Sequence, residues 1–201
     1  GMKIWVASLL LFFVTSTLVA QSITTSDKIF LLKKEDSLKT IGLKIVQGRD
    51  AADRFFADSV FTRIFVRALR TKNSFTHPFD SIINISKLYA PDSSYKIFTW
   101  QMLINENTIR QHGAIQMKTA DGSLKVFPLI DKSDIISNQN DSISDNNAWM
   151  GAVYYKIIQK EYKGKTFYTL LGFDENNIKS DKKIMDILQF VDGKPVFGNK
   201  L

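Results

Sequence analysis

The chain has 201 residues, of which 44% are hydrophobic, 12% aromatic and 23% charged, with ten Gly and four Pro; this composition folds around a core and excludes low-complexity or collagen-like structure. A formal charge of +7 at pH 7 is moderate and suits an ordinary solvated surface. With no cysteine there are no disulfides, thiolate metal sites or cysteine nucleophiles, and two histidines, His77 and His112, leave little for zinc chemistry or a histidine-based triad.

The chain opens on an address. Gly1 precedes the start Met2 and is set aside. Lys3, the apolar run from Ile4 to Val14 and the small residue Ala20 before Gln21 match a secretory signal over 1–20, cleaved after Ala20. A bilayer-spanning helix needs about twenty apolar residues, so no permanent membrane span is expected once the signal is removed. No cysteine follows the run, so a lipoprotein anchor is not expected. The expected location is the periplasm or the cell exterior. Export argues against a nucleic-acid partner and leaves lipid headgroups and surface polysaccharide as the usual polyanions. The basic surplus sits early: Gln21–Ala90 holds twelve basic and seven acidic side chains, against fourteen and thirteen beyond.

The mature chain, 21–201, reads as one α+β domain, helical over 27–90 and mainly β over 95–201. From Lys34 to about Val46, apolar Leu38, Ile41, Ile45 and Val46 recur near helical spacing, and Gly48 supplies a stop. Asp50 then predicts an N-cap, with Asp53 three residues on. The helix it opens, to Leu69, gathers Ala57, Val60, Phe61, Ile64, Phe65 and Ala68 on one half-circle. Arg63, Arg67 and Arg70 form a basic ridge on the opposite side. Such a ridge is either a solvated face, an ion-pairing surface or a cradle for an anionic ligand or membrane surface. His77 before Pro78 marks a loop, and the run Phe79–Leu88 is either a short helix or a strand.

Beyond Ser94 short aromatic and β-branched runs alternate with turn signals. Strands are expected at Tyr95–Ile104, Ile109–Lys118, Leu124–Ile130, Trp149–Gln159 and Thr166–Phe173. A sixth over Ile184–Val191 competes with a helix capped by Ser180. Short turns such as Asp121-Gly122 and Lys163-Gly164 make neighbours antiparallel, so an antiparallel meander of five or six strands with N-terminal helices packed on it is expected.

Several short patterns carry a resemblance: the Ala20-Gln21 junction, Pro91-Asp92 leading into Tyr95-Lys96-Ile97-Phe98-Thr99-Trp100, and His112-Gly113. So do Leu170-Leu171-Gly172-Phe173-Asp174 and the closing Pro195-Val196-Phe197-Gly198. In these the chain resembles uncharacterised exported proteins of Bacteroidetes-type bacteria, over most of the mature length. The resemblance implies export and no particular reaction or ligand.

No glycine-rich phosphate loop, His-Glu-x-x-His pair or Gly-x-Ser-x-Gly elbow occurs, and neither a cofactor nor a catalytic or metal-binding set is assigned. Carboxylates able to cleave glycans would come from Glu106, Asp131, Asp134 and Glu161, all beside predicted turns. The polar segment Asp131–Asn147 and the stretch Asp174–Asn177 are rich in oxygen donors; neither follows the EF-hand order, and both read as flexible loops, with calcium binding or a partner contact as the alternatives. On the strand at 109–118, Arg110 and His112 share a polar face. Trp100 and Trp149 read as core; Tyr154 falls on the face opposite Trp149, where its hydroxyl meets water or ligand. The candidate binding residues are therefore Arg63, Arg67, Arg70, Arg110, His112 and Tyr154. The expected function is a non-enzymatic module binding an envelope ligand or protein through the exposed sheet face or the long loop. A carboxylate-dependent envelope hydrolase acting on glycans, or a structural component of an envelope assembly, are the alternatives.

Overall fold

The computed structural model describes residues 22–135, 143–177 and 180–198. The leader and residues 136–142 of the polar segment lie outside this range. Among the described residues two helices, α1 (Thr25–Gln47) and α2 (Ala51–Leu69), precede nine strands. Strands β1 (Ser86–Tyr89), β2 (Tyr95–Asn105), β3 (Thr108–Met117) and β4 (Val126–Ile130) form one antiparallel sheet in that order. Strands β5 (Ser144–Asp145), β6 (Val153–Tyr162), β7 (Lys165–Asn177), β8 (Ser180–Val191) and β9 (Lys194–Phe197) form a second, ordered β5-β9-β8-β7-β6. The class is α+β with the helices packed on an antiparallel sheet. The strands divide between two sheets where the sequence pattern suggested one meander, because β4 ends the first sheet and the chain crosses to begin another.

Helix α1 starts nine residues earlier than its apolar spacing suggested. Thr24 caps it, its hydroxyl accepting from Asp27 N at 3.1 Å. The face it buries is the sparse stripe Leu31, Glu35, Leu38, Gly42 and Ile45, while Ile29, Phe30 and Leu32 stay exposed and blur the periodicity. At the start of α2, Asp50 caps Asp53 N at 2.9 Å as expected. Helix α2 buries Ala57, Phe61, Phe65, Ala68 and Leu69, but also Arg54 and Asp58. Arg54 is satisfied by two carbonyls, Nε to Leu103 O at 2.9 Å and Nη1 to Gly48 O at 3.0 Å, which ties the interhelical turn to the end of β2.

Two cores result, one on each side of the first sheet. Between helices and sheet lie Phe61, Phe65, Phe79, Phe98 and Trp100, with Phe65 and Phe98 edge to face at 4.8 Å. Between the two sheets lie Tyr95, Ile97, Ile115, Trp149, Tyr154, Leu170 and Leu188. Each such side chain contributes roughly 1.5–3 kcal/mol by leaving water. The alternative over 180–191 resolves as strand β8, and the run Phe79–Leu88 as turns leading into β1. Asp174–Asn177 is not a loop: β7 runs through it, and Asp174 is buried.

Candidate functional site

A cleft lined by several polar groups lies between α2 and the end of the first sheet, with a cavity volume of about 370 Å³. Thr62 of α2 and Trp100 of β2 border it, Arg110, His112 and Gly113 of β3 line it, and Leu129 to Lys132 with Asp134 and Ile135 close the far side. Period-two alternation puts Arg110 and His112 on one face, as the sequence indicated, and that face is the one turned to the helices. His112 pairs across the strands with Trp100, whose ring lies 5.9 Å away.

What fixes His112 is a carboxylate distant in sequence. Asp58 Oδ2 lies 3.0 Å from His112 Nδ1, while Trp100 Nε1 donates to Asp58 Oδ1 at 3.0 Å. Both oxygens of this buried carboxylate are thus engaged, the Asp58 side chain being 10% exposed and the imidazole 28%. With the carboxylate ionised, Nδ1 carries a proton, so Nε2 is the imidazole atom free to meet a ligand; it has no protein partner among the described residues. Asp58 is one turn before Thr62, so a single helical face supplies both the orienting acid and part of the wall.

The rest of the wall is polar and largely pre-satisfied. Asp131 Oδ2 accepts from Gln111 N at 3.0 Å and Oδ1 from Ser133 N at 2.9 Å, so this acid acts as a strut between β3 and the segment after β4. Behind it, Gln111 Nε2 donates to buried Asp174 Oδ1 at 2.7 Å. Burial raises the Asp174 carboxyl above the ordinary range; the Gln111 bond opposes this, and nearby Asp131 adds to it. Arg110 Nη2 lies 3.6 Å from Asp134 Oδ2, both well exposed at the rim. Lys132 adds a second cation to the lining.

Of the residues singled out from sequence, Arg110 and His112 meet in this cleft. Arg63, Arg67 and Arg70 are exposed on and just after α2 and do not line it. Tyr154 is corrected outright: it is fully buried between the sheets, with its hydroxyl donating to Asp186 and accepting from Trp149 Nε1 at 2.8 Å. A β-bulge between Tyr154 and Lys156 makes Tyr155 the extra, exposed residue and reverses the alternation that had placed Tyr154 outward. Burial pushes the Tyr154 hydroxyl well above its ordinary value, with Asp186 adding to the shift. Of the proposed glycan-cleaving acids, Asp131 and Asp134 line the cleft, while Glu106 and Glu161 are exposed at hairpin ends.

His77 lies in a loop but is not solvated. Its Nε2 is 2.6 Å from Glu35 Oε2, and its carbonyl accepts from Lys96 Nζ at 2.5 Å. Glu35 Oε1 takes Ser81 N and Oγ, each at 2.8 Å. Burial works against the Glu35 charge, yet the Ser81 and His77 bonds outweigh it and hold the carboxyl below its ordinary value. This cluster clamps α1 to the turns before β1. Sequence reasoning missed it, along with Asp58; the available signal was a polar residue on an apolar helix stripe, at positions 35 and 58.

No protein-family model, curated protein or solved structure matches the chain. The site is therefore read from its own geometry, and among the described residues no group of three or more His, Asp or Glu side chains is arranged to hold a metal ion.

Proposed function

We propose that the chain is an exported cell-envelope binding module that takes a small ligand with an anionic group on an apolar body in the cleft at His112. One observation carries this reading: Arg110 and Lys132 border a cavity into which an imidazole pinned at Nδ1 by buried Asp58 turns its other nitrogen, so the anion lies on the two cations while Nε2 accepts from a ligand donor. Trp100, Ile130 and Ile135 supply apolar wall for the ligand body. A ring fixed before binding loses little freedom on contact, which favours affinity. The export half of the reading rests on the leader and on the resemblance to exported proteins.

Hydrolysis by a carboxylate pair fits less well. Asp131 spends both oxygens on backbone donors, and Asp134 is 73% exposed beside Arg110.

Phenyl phosphate and benzoate are suitable probes, because each joins an anion to an apolar ring. With two histidines in the chain, proton resonances of the His112 ring are readily assigned, and His77, buried behind Glu35, serves as internal reference. Addition of either probe should shift His112 and leave His77 in place, and Arg110→Ala should weaken the effect about tenfold, as loss of one charge-assisted contact does. Unmoved His112 resonances at tens of millimolar of both probes would end the reading.

A further inference from the structure

The second sheet buries one face against the first, and among the described residues nothing packs on the other. Along β7, Tyr168, Leu170, Gly172 and Asp174 are buried, while Phe167, Thr169, Leu171 and Phe173 alternate to the outside and stay half-exposed. Pairing continues that outer face onto β8, where Met185 lies opposite Leu171 and Ile187 opposite Thr169. On β6, Lys156 lies opposite Leu171 and Ile158 opposite Thr169. None of these outward apolar residues belongs to either core, and both helices pack on β2, on the far side of the molecule. Met185 is 69% exposed and Tyr162, at the hairpin end, 63%.

On the outward strand rows of this strip the charge is of one sign; Glu161, exposed at the hairpin end between β6 and β7, falls on the inward side of the alternation. Lys156, Lys160, Lys165, Lys183 and Lys194 occupy outward, exposed positions on the four strands. No outward strand position within 156–173 or 183–196 holds a carboxylate. At the margin Asp145 is engaged as the cap of Asn147 N at 2.8 Å, and Asp192 sits in the turn before β9. Further along β7, Glu175 accepts from Gln101 Nε2 at 2.7 Å.

We infer that this face docks on an anionic phospholipid surface, with Phe167, Leu171, Met185 and Ile187 against the headgroup–acyl boundary and the lysines on lipid phosphates. Three observations choose that occupant. A second copy of the chain would bring lysines against lysines with no acid between them. Every cation of the rim is Lys and none is Arg, whereas protein interfaces are enriched in Arg and depleted in Lys. Lysine stems lie along apolar surface and lift the ammonium to the phosphate level, and Tyr162 at the edge is the amphipathic ring suited to that depth. Among the described residues no helix is long and apolar enough to cross a membrane. The inference goes beyond the cleft reading and does not depend on it.

The test exploits the lack of cysteine. In the full chain, Met185→Cys is labelled with nitrobenzoxadiazole, and Ser59→Cys, exposed on α2, is the control. Vesicles of phosphatidylcholine with increasing phosphatidylglycerol carry a nitroxide-labelled lipid. The label at 185 should shift to the blue and be quenched as the phosphatidylglycerol fraction rises, while the label at 59 stays unquenched. Lys156→Glu or Lys183→Glu should weaken the effect about fivefold each, and added salt should abolish it. These lysines are exposed, so the variants should keep the parent thermal midpoint, and Lys160→Gln gives a milder reading of the same kind. Equal quenching at both positions, which a leader lodged in lipid would produce, overturns the inference. So does an unquenched label at 185, or a blue shift without lipid that grows with protein concentration, which would mark a second copy as the occupant.

Discussion

Asp58 of α2 and His112 of β3 meet at 3.0 Å across the seam between helix and sheet, and the contact decides which imidazole nitrogen the cleft receives. The neutral ring held by a carboxylate is the Nδ1–H tautomer. In Asp58→Asn the amide oxygen retains the Trp100 bond while its NH₂ donates to Nδ1, so the neutral ring should switch to the Nε2–H tautomer. Long-range proton–nitrogen correlation spectra distinguish the two forms, and an unchanged pattern would contradict the assigned geometry. Loss of the charge-assisted bond should also lower stability by about 1–2 kcal/mol in chemical denaturation.

Tyr154 is a structural residue. Replacing it with Phe removes the acceptor of Trp149 Nε1 and the donor to Asp186, leaving an indole N–H buried between the sheets. A cost of about 2–4 kcal/mol is expected, from two lost buried bonds and one orphaned donor. The urea midpoint should fall with an unchanged slope, and the response of His112 to phenyl phosphate should survive. A stable variant with impaired ligand response would return Tyr154 to the binding site.

The contrast between these residues shows what a linear pattern carries. Helix α2 was legible because an Asp50 cap and an apolar half-circle agree, and β2 and β3 because alternation and turn residues agree. Arg110 and His112 shared a face for the same reason. The face of Tyr154 was misread because one extra residue, Tyr155, shifts the phase of β6, and nothing in the local sequence marks a bulge. Asp58 stayed hidden because its partners come from two strands far along the chain. The first half of α1 was lost because Ile29, Phe30 and Leu32 point apolar side chains at solvent, off the buried stripe.

Gly113 allows the floor of the cleft to form. A Cβ there would sit 2.6 Å from Phe98 O and 3.0 Å from a Leu129 methyl, and the carbonyl belongs to the neighbouring strand. Gly113→Ala should therefore push β2 from β3 beside His112. An overpacking cost of about 1–3 kcal/mol in denaturant midpoint is expected. A fall in phenyl phosphate affinity should accompany it, and a neutral outcome in both measurements would mean that the two strands are further apart than described.

Lys96 supplies the pH dependence. Its side chain is fully buried, and among the described residues its ammonium has one hydrogen bond, to His77 O, for three donors. The faces of Tyr89, Phe98 and Phe79 at 4.5, 5.1 and 5.3 Å favour the cation, and Asp80 does so from farther off. Burial, with the like charge of Lys87 adding to it, outweighs them and lowers the amine from its ordinary 10.5 to about 7. Between those values the unfolded chain binds a proton that the folded chain does not, so stability rises with pH across that interval and is flat in this term below it. Neighbouring tyrosines act in the opposite sense only at higher pH, burial having raised Tyr89 to about 12. The thermal midpoint should therefore climb by a few degrees from pH 7 to pH 9. Lys96→Met, which keeps the volume and removes the charge, should flatten that climb and raise the midpoint at pH 6. A wild-type midpoint that falls over the same interval would mean that Lys96 stays charged inside its ring of aromatic faces.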